Sequence, residues 1–145
     1  MSTYLPQGLP RPVPAADGLD RGYWDGTRRH ELRIQRCEAC RRWQWGPEWI
    51  CHRCHSFDLA FETVEPAGVL FAFERVWHPV HPTLVDAVPY VVALVELPQA
   101  DSVRVVGNLI GDSSVDVPIG SPVRAVFEDH DEADVPYTLV HWRAD

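Results

Sequence analysis

Four cysteines carry the most specific chemistry in this 145-residue chain. They fall as Cys37-Glu-Ala-Cys40 and Cys51-His-Arg-Cys54, separated by ten residues. A C-x-x-C turn aims two thiolates at one point. Two such turns brought together make a closed four-sulfur tetrahedron, the arrangement that structural zinc prefers. A rubredoxin-like iron site has the same ligands, whereas dithiol redox use needs a C-x-x-C at a helix N-terminus in a βαβ setting, and this stretch shows neither. His52 and His55 lie beside the second pair and read as surface residues, since four sulfurs already fill the shell. The chain turns left-handed after each second cysteine, a position that favours Gly. Arg41 and His55 occupy those positions, which predicts slight strain in each turn.

Other candidate chemistry is sparser. His78-Pro79-Val80-His81 opens a loop running to Pro89. Paired imidazoles can bind metal or exchange protons, but no HExxH helix surrounds them and Asp86 is the only nearby acid, so contact with a ligand is the better reading than catalysis. Arg28, Arg29, Arg33, Arg36, Arg41 and Arg42 face only Glu31 and Glu38 in their stretch; the patch could hold phosphates, pair with acids on a partner, or be a solvated face. Trp43, Trp45 and Trp49 sit between the knuckles and exceed what so small a module can hide. The chain has 13 Arg and no Lys. This excludes a Schiff-base lysine, a pyridoxal-phosphate anchor and a P-loop. There is no G-x-S-x-G elbow and no G-x-G-x-x-G cradle, so the sequence offers no self-sufficient catalytic set.

The elements that must position these residues divide at one place. Residues 1–60 hold nine Arg against seven acids, and residues 61–145 hold four Arg against fourteen acids, within an overall charge of −8. The fold class expected is mainly β: an arm and short helix over 1–30, a rubredoxin-like zinc ribbon over 31–65, and a five-stranded OB-fold barrel over 66–145. Pro6, Pro10, Pro12 and Pro14 make residues 1–16 an extended segment, read either as a disordered tail or as an arm that wraps a partner. A helix is expected within Asp17–Arg29, capped by Asp17 or Asp20. Ribbon strands are expected near Leu32–Arg36 and Phe61–Val64. Barrel strands are expected at Val69–Trp77, Tyr90–Leu97, Ser102–Ile110, Val123–Phe127 and Tyr137–Trp142, rich in Val, Phe, Leu and Tyr and bounded by Pro, Gly or Asp breaks. In Tyr90–Leu97 both faces are apolar, which points to a covered outer face and hence a protein partner.

No stretch free of Asp, Glu and Arg exceeds ten residues, so no membrane-spanning helix is expected. MSTYLPQGLP lacks the marks of a secretory signal, and with cysteines read as metal ligands the expected compartment is the cytoplasm. The acidic balance argues against nucleic acid. A single-stranded nucleic-acid-binding OB-fold protein is nevertheless the alternative reading, because ribbons and OB-folds both serve that role.

An ordered series of short motifs adds a family likeness. Tyr23-Trp24, Glu31-Leu32, Gln35-Arg36-Cys37 and the two knuckles are followed by Gly68-Val69, Pro89-Tyr90-Val91-Val92-Ala93, Gly107-Asn108-Leu109 and Ile119-Gly120. The series resembles the acyl-CoA-associated zinc-ribbon/OB-fold family, long catalogued as a domain of unknown function, and spans residues 17–142. The resemblance implies a small accessory subunit of a thiolase-like or lipid-transfer-protein-like enzyme that makes or cleaves carbon–carbon bonds beside a CoA thioester. Val76–Pro89 is most similar to the branch of aldolases that shorten steroid side chains. The resemblance further implies structural zinc on Cys37, Cys40, Cys51 and Cys54, acyl-CoA as a ligand of the complex, catalytic residues in the larger partner, and a hetero-tetramer. Arg75, Trp77, His78, His81 and Tyr90 are the expected ligand or partner contacts.

Overall fold

A computed structural model describes residues 3–145. The segment before the first helix, residues 3–20, has no regular strand or helix. Helix α1 (Arg21–Thr27) follows, shorter than the Asp17–Arg29 expected. Gly22 and Gly26 bring it close to its neighbours: a Cβ on Gly22 would lie 2.3 Å from Phe61. Asp20 stands at the N-cap, yet its carboxylate makes no capping bond and instead accepts from Trp24 Nε1 at 2.8 Å.

The cysteine-bearing half forms a three-stranded antiparallel sheet in the order β2–β1–β3, from β1 (Leu32–Cys37), β2 (Trp43–Gln44) and β3 (Leu59–Val64). The remaining five strands are β4 (Ala67–Val76), β5 (Tyr90–Leu97), β6 (Val103–Asn108), β7 (Pro122–His130) and β8 (Tyr137–Ala144). They run antiparallel in the order β6–β5–β4–β7–β8. One parallel bridge, Leu109 to Trp142, draws the two ends together into a nearly closed barrel of OB type. β4 is long enough to pair with both neighbours because it bends at a bulge at Phe71, between Leu70 and Ala72.

Alternation along the strands sorts the side chains as half-buried strands require. Val91, Ala93, Val95 and Leu97 point inward and are buried, whereas Tyr90, Val92, Leu94 and Glu96 are half-buried on the outer face. Leu32, Ile34 and Val64 of the ribbon belong to the same core as Leu70, Val95, Val123 and Trp142 of the barrel. The ribbon is therefore packed into the barrel rather than tethered to it. Polar contacts fix the angle. Arg28 reaches Asp131 at 2.8 Å and the Thr138 hydroxyl at 3.0 Å, and His30 bonds Asp129 at 2.9 Å while stacking on Phe127.

The proline-rich segment is ordered on its own barrel. The Tyr4 amide donates to Glu128 at 2.7 Å, its hydroxyl to the Leu109 carbonyl at 3.2 Å, and its ring lies 5.3 Å from that of His141. The described part of the arm is thus a strap across β7 and β8; residues 1 and 2 lie outside the described residues.

Two predictions follow from this packing. Where β6 approaches β8, a Cβ on Gly107 would sit 2.8 Å from the Trp142 ring and 3.0 Å from the Val140 carbonyl. Gly107→Ala should destabilise the chain by about 1–3 kcal/mol, read as a lower urea midpoint at unchanged m-value. The Thr138 hydroxyl, followed by His30 and Arg28, holds the Asp129 carboxyl below its ordinary 3.8. A carboxyl depressed by folding contributes stability above its unfolded value and loses it as pH falls through the folded value. Asp129→Asn should therefore lower stability at neutral pH and flatten the fall between about pH 5 and pH 2, measured by urea unfolding across that range.

Candidate metal centre

β1 ends at Cys37, which starts the first tight turn, and the second turn lies between the β2 strand and β3. Each turn is closed by the same pair of backbone features. Arg41 N–H donates to the Cys37 carbonyl at 2.9 Å and His55 N–H to the Cys51 carbonyl at 3.1 Å. Both residues are left-handed, at φ 63° and 62°, the strain expected of a non-glycine at these positions. Arg41 regains stabilisation through ion pairs to Glu38 and Glu62. His52 and His55 are exposed, apart from the sulfur cluster.

The four Sγ atoms lie within 4.8 Å of one another. Cys37 and Cys54 are 3.6 Å apart, as are Cys40 and Cys51. A tetrahedron with zinc–sulfur bonds of about 2.3 Å has edges of about 3.8 Å, so the donor set fits one Zn²⁺ and no disulfide joins any pair. Amides add to the sulfur environment: Cys40 N–H points at Cys37 Sγ and Arg53 N–H at Cys51 Sγ, at 3.5 and 3.3 Å. The Cys54 and Arg53 amides hold the Cys51 thiol down at about 6. At Cys54 the Ser56 amide pulls the same way, but desolvation and the three neighbouring sulfurs outweigh it and push that thiol up to about 11. Thiols this close cannot all ionise beside one another unless a cation joins them, so binding a metal would release protons.

Two buried glutamines hold the cysteine-bearing loops; the sequence reading named Gln35 only within the motif Gln35-Arg36-Cys37 and did not name Gln44. Gln35 and Gln44 face each other across β1 and β2. Gln44 Nε2 donates to Gln35 Oε1 at 2.7 Å, and Gln44 Oε1 accepts from the His52 amide at 3.0 Å. Gln35 grips Glu48 from both sides, accepting from its amide at 3.0 Å and donating to its carbonyl at 2.9 Å. The available signal was an amide side chain placed between two tryptophans, a position that otherwise takes an apolar residue.

The arginine patch is largely neutralised within the chain. Arg36 and Arg41 both bind Glu62, which holds that carboxyl below its usual range; Arg28 binds Asp131, and Arg29 binds Glu31. Arg42 lies 3.7 Å from Asp101, and Arg33 donates to the Phe61 carbonyl. Trp43 and Trp45 pack at the edge of the core, while Trp49 is 67% exposed.

The expected contact residues lie around one loop. Val76 and Tyr90 pair across β4 and β5, so its two ends meet. Leu84 is buried and pins the loop's middle, while Trp77 is 66% and Val80 78% exposed. Arg75 is held by the Ser113 carbonyl at 2.7 Å and Asp116 at 2.6 Å. His81 Nδ1 accepts from the Thr83 amide at 3.2 Å, capping a short 3-10 turn, whereas His78 is exposed. Tyr90 is half-buried.

Comparison with known proteins agrees with this geometry. Residues 24–60 match the ChsH2 rubredoxin-like zinc ribbon domain and residues 62–128 the ChsH2 C-terminal OB-fold domain. A solved Ltp2-ChsH2(DUF35) aldolase contains a chain 31% identical to this one, with a TM-score of 0.72, covering 90% of this chain and 98% of that one. The chain belongs to the ChsH2-type DUF35 family. A DUF35 protein of unknown function from Sulfolobus solfataricus shares the fold at 12% identity and a TM-score of 0.58, over 89% of this chain and 87% of that one. A probable enoyl-CoA hydratase alpha subunit of Thermomonospora curvata is 39% identical over 136 residues. The 3-oxo-4,17-pregnadiene-20-carboxyl-CoA hydratase alpha subunit of Mycobacterium tuberculosis is 33% identical over 140. These alignments take in 92% and 97% of this chain but only 40% and 42% of those proteins.

Purified chain should carry one zinc, and Cys40→Ser should release it and unfold the ribbon, seen by elemental analysis and circular dichroism. Metal-free protein that is soluble and folded would contradict this. Gln44→Leu should cost about 2–3 kcal/mol by stranding the His52 amide and Gln35, and should quicken zinc loss to a chelator while the four thiols remain intact.

Proposed function

We propose that this chain is the non-catalytic, zinc-containing accessory subunit of a thiolase-like, lipid-transfer-protein-like enzyme that cleaves or forms a carbon–carbon bond beside a CoA thioester. The observation that carries the reading is the likeness to the DUF35 chain of the Ltp2-ChsH2 aldolase over nearly that chain's whole length. The two hydratase alpha subunits support acyl-CoA substrates and, through the pregnadiene-carboxyl compound in one name, steroid side-chain degradation.

In this reading zinc supplies no chemistry at the substrate; its four-sulfur shell is closed, and the ribbon is scaffold. The larger partner provides the retro-aldol or thiolytic residues. The loop Trp77–Pro89 and the half-buried outer face of β5 meet the partner at its active-site entrance, and acyl-CoA is the shared ligand. Trp77 has the features of an interface anchor: a large aromatic surface, exposed, on a loop held at both ends. Arg75 orients the base of that loop instead of reaching outward. A cytoplasmic complex with two copies of each chain is the expected assembly.

Size-exclusion with light scattering, on the chain alone and co-expressed with an Ltp2-like, thiolase-like subunit, tests this. Expected are a stable hetero-oligomer, acyl-CoA lyase activity that requires both chains, and weakening of association by about 2–4 kcal/mol in Trp77→Ala with zinc content unchanged. A monomer that never co-elutes, or robust turnover by this chain alone, contradicts the proposal.

A further inference from the structure

One buried polar cluster takes no part in the metal centre, and the N-terminal strap covers it. On the face of β7 and β8 that the strap crosses, Glu128 accepts from His130 Nε2 at 2.7 Å, from His141 Nε2 at 3.2 Å and from the Tyr4 amide at 2.7 Å. Charged and titratable neighbours come from each element packed here. His130 stacks on Tyr137 and turns Nδ1 towards Glu132 at 3.7 Å. Glu132 also lies 4.0 Å from Arg11 of the strap. Arg143 is exposed, two residues beyond His141 and so on the same face of β8. Asp129 belongs to the opposite face of β7, where Thr138, His30 and Arg28 engage it.

His141 is the group most directly under the strap. Its side chain is 5% exposed, the Tyr4 ring lies 5.3 Å from it, and its Nδ1 has no hydrogen-bond partner. Because the Glu128 carboxylate only accepts, Nε2 carries the hydrogen and Nδ1 keeps a lone pair. A proton added at Nδ1 creates a charge and an N–H in a space closed to water, with no acceptor to meet them, and that arrangement is costly. Burial, outweighing the pull of Glu128, and the nearby His130 accordingly hold His141 below its ordinary 6.5. Lifting Tyr4 admits water to the ring, so the open form binds the proton more tightly than the closed one. The closed form is therefore fully favoured above about pH 6.5 and loses ground below it, by at most about tenfold per pH unit.

The same strap reaches the Trp77–Pro89 loop. Gly8, at φ 101°, runs against the short 3-10 turn Pro82–Leu84, and a Cβ there would sit 3.5 Å from the Thr83 side chain. A second path leads to the strand that receives the loop. The Tyr4 hydroxyl donates to the Leu109 carbonyl at 3.2 Å, and the Leu109 amide donates to the Val91 carbonyl at 2.9 Å, near the start of β5. Inside the turn, Leu84 is buried beside Thr83. The loop is thus held from within by Leu84 and from without by a segment whose own anchor is Tyr4 on Glu128 and His141.

We propose that the strap is an acid-released brace: a proton on His141 frees Tyr4, the strap lifts from β7 and β8, and the Trp77 loop loses its outer support at Thr83. Resting on the subunit reading above, the brace sets the state of the docking loop, which is fixed at neutral pH and loosened in acid. The device needs no change in the barrel or the metal centre, because the strap takes part in no strand pairing.

Backbone amide relaxation of the zinc-loaded full chain, with the imidazole resonances followed alongside, tests this from about pH 8 to about pH 5. The heteronuclear NOE should drop at Tyr4, Gln7, Leu9 and Thr83 with a midpoint matching that of His141. The barrel amides of Val95 and Val123 and the knuckle amides of Arg41 and His55 should stay rigid. Tyr4→Ala should free the strap at every pH and raise the His141 midpoint towards its ordinary 6.5, since strap and proton act on each other reciprocally. His141→Phe, which has no proton to accept, should keep the strap ordered in acid. A strap rigid in acid, a His141 midpoint unmoved by Tyr4→Ala, release that persists in His141→Phe, or release that leaves Thr83 rigid each overturns the brace. If His141→Phe does not fold, the wild-type and Tyr4→Ala titrations decide alone. Docking is scored at fixed pH. At about pH 8, Tyr4→Ala should weaken association with an Ltp2-like subunit about tenfold, and unchanged affinity overturns the strap's part in docking. A wild-type chain that never associates overturns the subunit reading and leaves the relaxation result standing.

Discussion

Mutual repulsion of four thiolates, relieved only by a shared cation, is the constraint on which the rest of the architecture depends. The ribbon's β2 strand is two residues long, and its two cysteine turns are closed by a few amide bonds around left-handed Arg41 and His55. Such a unit has little apolar area with which to offset its ordering entropy. Metal binding in comparable small zinc modules contributes about 10–16 kcal/mol, as much as the whole net stability of an ordinary domain, about 5–15 kcal/mol. The consequence reaches beyond the ribbon. Once Cys37 is fixed, β1 is fixed, and Leu32 and Ile34 are presented to the barrel as part of its core. The barrel borrows these residues, so the metal bears indirectly on the stability of both halves.

The parts legible in the sequence were those governed by short-range rules. Paired C-x-x-C spacing implied one cluster, and runs rich in Val, Phe, Leu and Tyr between Pro, Gly or Asp breaks implied five barrel strands. Strand ends were less legible. β7 runs on to His130, beyond the expected Phe127, because its last residues pair with Thr138 and Tyr137 of β8, and that pairing is set by a partner strand rather than by local composition. The strap was misjudged for the same reason. Prolines at 6, 10, 12 and 14 correctly signal an extended chain, but what holds it is Tyr4 against Glu128 and His141, more than 120 residues away. The pairing of Gln35 with Gln44 has no local signature, and only the β1–β2 register makes them a buried pair.

Charge shows a related contrast between composition and placement. Six arginines in the first half look like a basic face for an anionic partner, yet five of the six find acids on neighbouring strands or turns. Arginine suits this use because its planar fork can satisfy two acceptors at once, as Arg41 does with Glu38 and Glu62. The absence of lysine fits a chain whose cations mostly hold fixed geometry. The patch is therefore internal bracing that joins helix, ribbon and barrel, and the acidic excess remains on the barrel half.

That distribution separates a braced side of the molecule from a side able to rearrange. Ribbon, helix α1 and the end of the β7–β8 hairpin are tied by a shared core, the Arg28–Asp131 pair and the stacked His30 and Phe127. Across the barrel, the Trp77–Pro89 loop is anchored by a single buried residue, Leu84, and the strap is attached mainly through one tyrosine. Regions with few buried contacts open at lower free energy than the global unfolding transition. An accessory subunit of the kind proposed can use this asymmetry, because docking requires a surface that keeps its shape while the segments beside it adjust. Tyr4 can leave Glu128 without breaking any strand pairing, since Glu128 keeps both imidazoles and Leu109 keeps its own bridge to Trp142. Loosening the strap and holding the barrel are, on this arrangement, nearly independent events.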